Sequence, residues 1–337
     1  MDRYRAGMQR AIERARHGYG RTGANPIVGA VIVNVAGEII AEGFHAGSDH
    51  AEVIALRAYQ GCATRSHDDV LIVTLEPCNH HGKTPPCVDA IIASGIRTVL
   101  FAVSDPNPIA SGGAAALEAA GIAVFHGLME REAAFDNRAW LSRMKHNRPF
   151  YTWKVAMTLD GRTSAPDYTS KWITSPESRA KVSQLRRESD AILVGTETVV
   201  RDNPSLIPHD GLELRPPLRV VVGQRDVPAD AAVKNQDAPT YFHRSHDVDA
   251  LHRELLDRGV TRVLVDSGST LASAMVAAGC IDEVVAFVAP TLLGAGHTFF
   301  SDNAITTLNQ RRDLHLIHHE QIGQDMLLHY SITKAGL

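Results

Sequence analysis

The chain has 337 residues, 44% of them hydrophobic and 21% charged, with a formal net charge of −4. That length exceeds one ordinary core of about 100–200 residues, so two domains are expected. The mild negative balance, without a block of like charges, argues against a nucleic-acid-binding face or a basic membrane face. No apolar run reaches the ~18–20 residues of a membrane span. The charged, amphipathic N-terminus lacks the apolar centre of a signal peptide, which predicts a cytoplasmic protein. Four cysteines (Cys62, Cys78, Cys87 and Cys280) are too few for a disulfide framework in so long a chain. A close pair in a reducing compartment reads as metal-binding or catalytic. Most of the histidines are scattered, and His126, His243, His246 and His329 sit in contexts that suggest surface or boundary positions.

In chain order, residues 3–16 carry helical apolar spacing. Ile27–Val35 is a β-branched run closed by the turn-like Ala36-Gly37. A helix is predicted over 50–60, a buried strand over Val70–Leu75, a Cys-led helix over 86–94 and a strand over Thr98–Val103. The loop Asp105-Pro106-Asn107-Pro108 leads to an Ala-rich helix ending near Ala120 and a short strand at Ile122–Phe125. This alternation predicts an α/β sandwich, and the continuous Val/Ile strands predict a sheet covered on both faces. Around 140–149 the composition turns basic and Pro149 ends any helix. The boundary is placed there, giving domains 1–146 and 147–337. The second half repeats the alternation. Strand signals fall at Tyr151–Val155, Ala191–Val194, Leu218–Val222, Arg262–Val265 and Val284–Val288, and helix signals at 176–188, 248–258 and 270–278. Pro216-Pro217 and 224–240 read as loops, and there is no internal repeat.

Three pieces of the first half belong together: His50-Ala51-Glu52 at a helix start, Glu76-Pro77-Cys78 after a buried strand, and Cys87 at the next helix start. One imidazole and two thiolates suit tetrahedral zinc. Three protein ligands leave a fourth position for water, whose pKa zinc brings towards ~7. Glu52, two residues from His50, is placed to take that water's proton and pass it to departing ammonia. The arrangement matches the H-x-E…P-C-x-x-C pattern of zinc nucleobase deaminases. Here the two cysteines are separated by a longer insert, in which Gly82, Pro85 and Pro86 define a loop. The alternatives are two buried cysteines packing as small hydrophobes, or a structural zinc with His80 or His81 as a fourth ligand. The second leaves Glu52 and the open position without work.

The chain resembles the bifunctional deaminase/reductases of riboflavin biosynthesis over nearly its whole length. In the first half the likeness is carried by Asn25-Pro26-Ile27-Val28-Gly29, Glu42-Gly43-Phe44-His45, His50-Ala51-Glu52-Val53, Thr74-Leu75-Glu76-Pro77-Cys78, Gly82-Lys83-Thr84-Pro85-Pro86-Cys87 and Asp105-Pro106-Asn107-Pro108. The resemblance implies a cytidine-deaminase-like α/β/α sandwich that deaminates 2,5-diamino-6-(5-phosphoribosylamino)pyrimidin-4-one. It implies zinc on His50, Cys78 and Cys87, with Glu52 catalytic. It assigns substrate contacts to Asn25, His45, His80, Lys83, Asp105 and Asn107. Asn offers a donor and an acceptor to a pyrimidine edge, and Lys suits a phosphate as a point charge. Without the resemblance, Asn25-Pro26 and Asp105-Pro106 are also ordinary turn formers. The stretch Ile109-Ala110-Ser111-Gly112-Gly113 is about one residue shorter than the family's usual loop.

In the second half the likeness is carried by Lys154, Leu159-Asp160-Gly161-Arg162-Thr163, Ser170-Lys171-Trp172-Ile173-Thr174, Leu185-Arg186, Asp190-Ala191-Ile192-Leu193-Val194-Gly195, Thr198, Asp202-Asn203-Pro204 and Pro290-Thr291-Leu292-Leu293-Gly294. It implies a dihydrofolate-reductase-like α/β domain that uses NADPH to convert a ribosyl to a ribityl side chain. No G-x-G-x-x-G follows a strand. The best local phosphate cradle is Asp266-Ser267-Gly268-Ser269-Thr270, whose plainer reading is a helix capped by Ser269. The resemblance places cofactor at Ala156, Trp172, Thr198, Asp202, Gly268, Ser269 and Thr270. It places substrate at Lys154, Ser170, Arg186, Leu206, His209 and Asp266. Asp266 stands where the family usually has Glu, and His209 where it usually has Arg, which exchanges a fixed bidentate clamp for a titratable group. Two readings stay open at this point: a bifunctional enzyme, and a deaminase whose reductase-like domain has altered or lost activity, as in an enzyme of another pyrimidine-derived pathway. A nucleic-acid-editing deaminase is disfavoured by the charge and by the lack of basic–aromatic interleaving. A homo-oligomer is expected from the family.

Overall fold

A computed structural model describes residues 4–45, 47, 49–82, 84–208 and 215–332. The chain divides into two compact units, Met1–Asn147 and Arg148–Gly336.

The first unit runs α1 (Arg5–Arg16), β1 (Gly29–Val33), β2 (Ile39–Phe44), α2 (Ala51–Gln60), β3 (Val70–Leu75), α3 (Cys87–Ser94), β4 (Thr98–Val103), α4 (Gly113–Ala119), β5 (Ala123–His126), α5 (Glu130–Asp136) and α6 (Arg138–His146). Its sheet has the order β2-β1-β3-β4-β5. β1 is antiparallel to both neighbours, whereas β3, β4 and β5 are parallel. The strand period of two sorts the core. Val31, Val33, Ile72 and Leu100 pack with Met8, Ile12 and Trp140 on one face. Ala30, Ile32, Leu71, Val73, Val99 and Phe101 pack with Ala55, Leu56 and Ile91 on the other. The unit is therefore an α/β/α sandwich, as expected. Gly43 lets α2 lie close: a Cβ there would stand 2.5 Å from the Ala51 carbonyl oxygen.

The second unit runs β6 (Phe150–Thr158), β7 (Arg162–Ser164), α7 (Pro176–Arg187), β8 (Ala191–Gly195), α8 (Thr196–Asp202), β9 (Leu218–Val222), β10 (Thr240–His243), α9 (Val248–Asp257), β11 (Arg262–Val265), α10 (Ser269–Ala277), β12 (Glu283–Ala289), β13 (His297–Thr298), β14 (His315–Ile322) and β15 (Asp325–Ser331). The main sheet has the order β10-β9-β8-β11-β6-β12-β15-β14. It is parallel up to β12 and ends in the antiparallel β15 and β14. Apolar residues cover both faces. Tyr151, Trp153, Val263 and Val265 pack with Leu255 and Val276. Ile192, Val194, Val221 and Leu264 pack with Val199 and Leu206.

Several local expectations are corrected. The first strand is shorter than Ile27–Val35, and Val35 is exposed in the turn. The 224–240 stretch contains a short 3-10 turn at Ala232–Lys234, and its last residue opens β10. His243 is buried, with Nε2 donating to the Asp247 carbonyl at 3.0 Å and the Tyr241 hydroxyl 3.2 Å from Nδ1. His329 Nε2 lies 3.0 Å from buried Glu283. Ser269 is the first residue of α10, not its cap; the N-cap is Gly268, and no side chain caps the helix.

Candidate active sites

In the first unit the chemistry gathers where helices begin and parallel strands end, the usual place for ligands in α/β sheets. His50 is the N-cap of α2, and Cys87 is the first residue of α3 after the N-cap Pro86. Cys78 follows the end of β3 by three residues. These elements bring His50 Nδ1 to 3.1 Å from Cys87 Sγ and 3.4 Å from Cys78 Sγ. The ligand atoms of all three residues lie within 4.8 Å of one another, the one such group among the described residues. His80 and His81 are outside it. The Cys87 N–H donates to Cys78 Sγ at 3.4 Å, and the Thr84 hydroxyl stands 3.5 Å from His50 Nε2. Two buried thiols and an imidazole that converge in this way fit zinc. The hydrogen bond from the Cys87 thiol, helped by His50, holds Cys78 well below the ordinary thiol range. The same sharing of one proton pushes Cys87 up. Positive helix N-termini favour the thiolates that a metal needs.

Glu52 is the second residue of α2, within its first turn, and is only 4% exposed. Burial raises its carboxyl to about 7. A carboxyl poised near neutrality is suited to both taking and giving a proton. His45 is buried, and burial lowers its pKa. Its Nδ1–H donates to the Asp49 carbonyl at 2.9 Å, which leaves Nε2 as an acceptor. His80 Nδ1 is buried and, among the described residues, has no hydrogen-bond partner. Asn25 is exposed at the end of a turn. Asp105 Oδ1 accepts the Asn107 N–H at 2.8 Å, and burial raises its carboxyl. Lys83 lies outside the described residues.

In the second unit Asp266 follows β11 and joins two cations. Lys154 Nζ, on β6, lies 2.5 Å from Oδ1, and Arg186 Nη2, on α7, lies 2.6 Å from Oδ2. Burial alone would raise the Asp266 carboxyl, but the charges of Lys154 and Arg186 outweigh it and hold it far below the usual range. Asp202 feels Lys171, Asp266 and Lys154. Trp172 has φ +70° and stands 72% exposed, its ring 4.3 Å from the Arg179 guanidinium carbon. Ser267 Oγ accepts the Gly195 N–H at 3.2 Å, tying the ends of β8 and β11. The uncapped start of α10 leaves N–H groups at Gly268–Thr270 suited to phosphate. Leu206 is different: its side chain is buried in the core and φ is +57°, so only its backbone can meet a ligand. His209 lies outside the described residues.

Comparison with known proteins matches each unit to a family. The cytidine and deoxycytidylate deaminase zinc-binding region matches residues 1–103. The RibD C-terminal domain matches residues 149–328. The riboflavin biosynthesis protein RibD of Mycobacterium tuberculosis is 44% identical over 324 residues, covering 94% of each chain. The chain belongs to the RibD family. The Escherichia coli RibD is 38% identical, covering 86% of this chain and 88% of its own. Among solved structures, Acinetobacter baumannii RibD superposes with TM-score 0.88 at 34% identity, covering 99% of both chains. The diaminohydroxyphosphoribosylaminopyrimidine deaminase/5-amino-6-(5-phosphoribosylamino)uracil reductase of Thermotoga maritima superposes with TM-score 0.87 at 35% identity, covering 98% of this chain and 99% of that one. The chain is thus a riboflavin-biosynthesis enzyme with a zinc-dependent deaminase activity and an NADPH-dependent reductase activity. Of the two readings left open by the sequence, the bifunctional one is supported. No helix among the described residues is long and apolar enough to cross a membrane.

Sequence reasoning missed Asn137, which clamps the backbone beside Asn25. Asn137, between α5 and α6, is 2% exposed. Its Oδ1 accepts the Ile27 N–H at 3.0 Å, and its Nδ2 donates to the Ile27 carbonyl at 2.8 Å. This clamp fixes the backbone two residues after Asn25, across 110 positions of sequence. Nothing local to Asn137 announces it.

Proposed function

We propose that residues 1–146 deaminate 2,5-diamino-6-(5-phosphoribosylamino)pyrimidin-4-one, and that residues 147–337 then reduce the ribosyl side chain to ribityl with NADPH. The observation that carries the first step is the convergence of His50 Nδ1, Cys78 Sγ and Cys87 Sγ, with buried Glu52 two residues from His50. Zinc held by these three atoms supplies an activated water at neutral pH. Glu52 accepts the proton of the attacking water and returns it to the departing amine. Asn25, His45, His80, Asp105 and Asn107 hold the pyrimidine edge and ribose, and Lys83 meets the phosphate. The neutral His45, with Nε2 free to accept, suits a ring or amino N–H.

In the second unit NADPH supplies the hydride. Ala156, Trp172, Thr198, Asp202 and Gly268–Thr270 hold the cofactor, while Lys154, Ser170, Arg186, Leu206, His209 and Asp266 meet the substrate. The Lys154–Asp266–Arg186 group keeps two cations in fixed positions for an anionic, oxygen-rich side chain. The enzyme works in the cytoplasm as a homo-oligomer and binds no nucleic acid. The test follows ammonia release and NADPH oxidation in one tube with the diaminopyrimidinone ribotide. Ammonia followed by NADPH loss is expected; no ammonia from zinc-loaded enzyme refutes the substrate. Light scattering reads the oligomer.

A further inference from the structure

We propose that Glu76 is a positioning residue of the deaminase, whose carboxylate ties both ends of the Asp105–Gly112 loop beside the Cys78 segment. The proposal rests on the reading of Asp105 and Asn107 as substrate groups.

Glu76 lies at the end of β3, two residues before Cys78, and is 9% exposed. Among the described residues it forms no ion pair; its compensation comes from backbone N–H groups. Oε2 accepts from Asp105 at 3.1 Å. Oε1 accepts from Gly112 at 3.2 Å and from Ala114 at 3.1 Å. Asp105 opens the loop, and Gly112 with Ala114 closes it into α4. One carboxylate therefore bridges the loop's two ends. Inside it, Asp105 Oδ1 accepts from Asn107 N–H, and the Asn107 carbonyl accepts from Ala110 at 3.0 Å and Ser111 at 2.9 Å. The loop is a closed series of turns carrying Asp105 and Asn107.

The same loop grips the cysteine segment from either side. Before Cys78, a Cβ on Gly113 would fall 1.8 Å from the Pro77 carbonyl oxygen, so only glycine lets α4 approach this closely. After Cys78, the Asn79 N–H donates to the Ala110 carbonyl at 3.0 Å. Cys78 itself packs with Ala110 and Cys87. The spacing between a zinc ligand and the substrate loop is thus set by Glu76 and its neighbours. A buried anion with three N–H donors is costly to replace: glutamine has the same shape, but one oxygen becomes an NH2 donor. Whichever way that amide turns, a donor faces a donor at one end of the loop.

The test uses the full-length, zinc-loaded enzyme and steady-state ammonia release from the diaminopyrimidinone ribotide. Glu76→Gln should keep one zinc per chain and raise KM about tenfold, with kcat within about threefold of wild type, because it loosens binding and leaves the proton-transfer groups in place. Asp105→Ala should also raise KM, and the double variant should be within about twofold of Asp105→Ala alone, since both act through one loop. A purely fold-supporting role would lower the melting temperature without this KM-specific pattern. A wild-type KM in Asp105→Ala sinks the substrate assignment, and the proposal with it. A raised KM there beside a wild-type KM in Glu76→Gln sinks the proposal alone, as does zinc loss in Glu76→Gln or fully additive effects in the double variant. If Glu76→Gln does not fold, Glu76→Asp keeps the charge but loses one methylene of reach. It is expected to raise KM in the same direction, and a wild-type KM overturns the proposal.

Discussion

His50 Nδ1 and Cys87 Sγ stand 3.1 Å apart although they are 37 positions apart in sequence, because the starts of α2 and α3 are brought together. Their protons oppose metal binding. The hydrogen bond with Cys78 raises His50, and the shared proton with Cys78 raises Cys87. Both groups must shed protons to ligate, so zinc uptake releases protons and affinity rises with pH. Competition titrations between about pH 6 and pH 8 should show weaker zinc binding on the acid side. Chelation should abolish ammonia release while NADPH oxidation continues on ready-made deaminated substrate. An affinity that does not change with pH contradicts the ligand set.

Glu52→Gln keeps the side-chain volume and removes the proton acceptor. Deamination should fall by about 10²–10⁴ in kcat, the usual worth of a general acid–base group. Zinc content should stay at one per chain, because Glu52 is not a ligand. Metal analysis beside ammonia kinetics checks both halves; near-normal kcat would remove Glu52 from the mechanism.

Asp266→Asn leaves Lys154 and Arg186 without their shared anion at side chains 15% and 18% exposed. Breaking such a partly buried ion group costs about 3–5 kcal/mol, and NADPH oxidation should fall with it. The sign of the pH effect follows from the depressed carboxyl of Asp266. Its stabilisation is present above the ordinary aspartate pKa and is lost as pH falls through the lower folded value. Wild type and variant should therefore converge in stability in strong acid and differ at neutral pH. Equal melting temperatures near neutrality would show the group to be energetically idle.

Asn137→Ala removes both hydrogen bonds to the Ile27 backbone at a position only 2% exposed. A loss of about 1–3 kcal/mol in unfolding free energy is expected for a buried, unpaired backbone N–H. Because Asn25 sits two residues away, KM for the pyrimidine should also rise, which paired denaturation and kinetics will read. Unchanged stability would mean that the Ile27 backbone finds another partner.

The sequence by itself determined the chemistry of the first site and the alternation of the fold. His50, Glu52, Cys78 and Cys87 stand out because zinc restricts which atoms can bind it, and those residue types sit at helix starts and strand ends. Buried parallel strands such as Val70–Leu75, Leu218–Val222 and Arg262–Val265 appear at their observed bounds, since a strand covered on both faces is written as an unbroken apolar run. Tertiary structure decided the rest. Periodicity does not announce β2 because Gly43 interrupts its pattern, and that glycine serves the close approach of α2. Nor does it announce β14, an exposed edge strand that carries His315, His318 and His319 instead of an apolar stripe. The carboxylate of Glu76, the carboxamide of Asn137 and the cations around Asp266 are matched with partners 29 to 112 positions away. Local propensity and periodicity reach only a few residues along the chain, whereas a buried polar group is satisfied by whatever backbone or charge the packed sheet brings beside it.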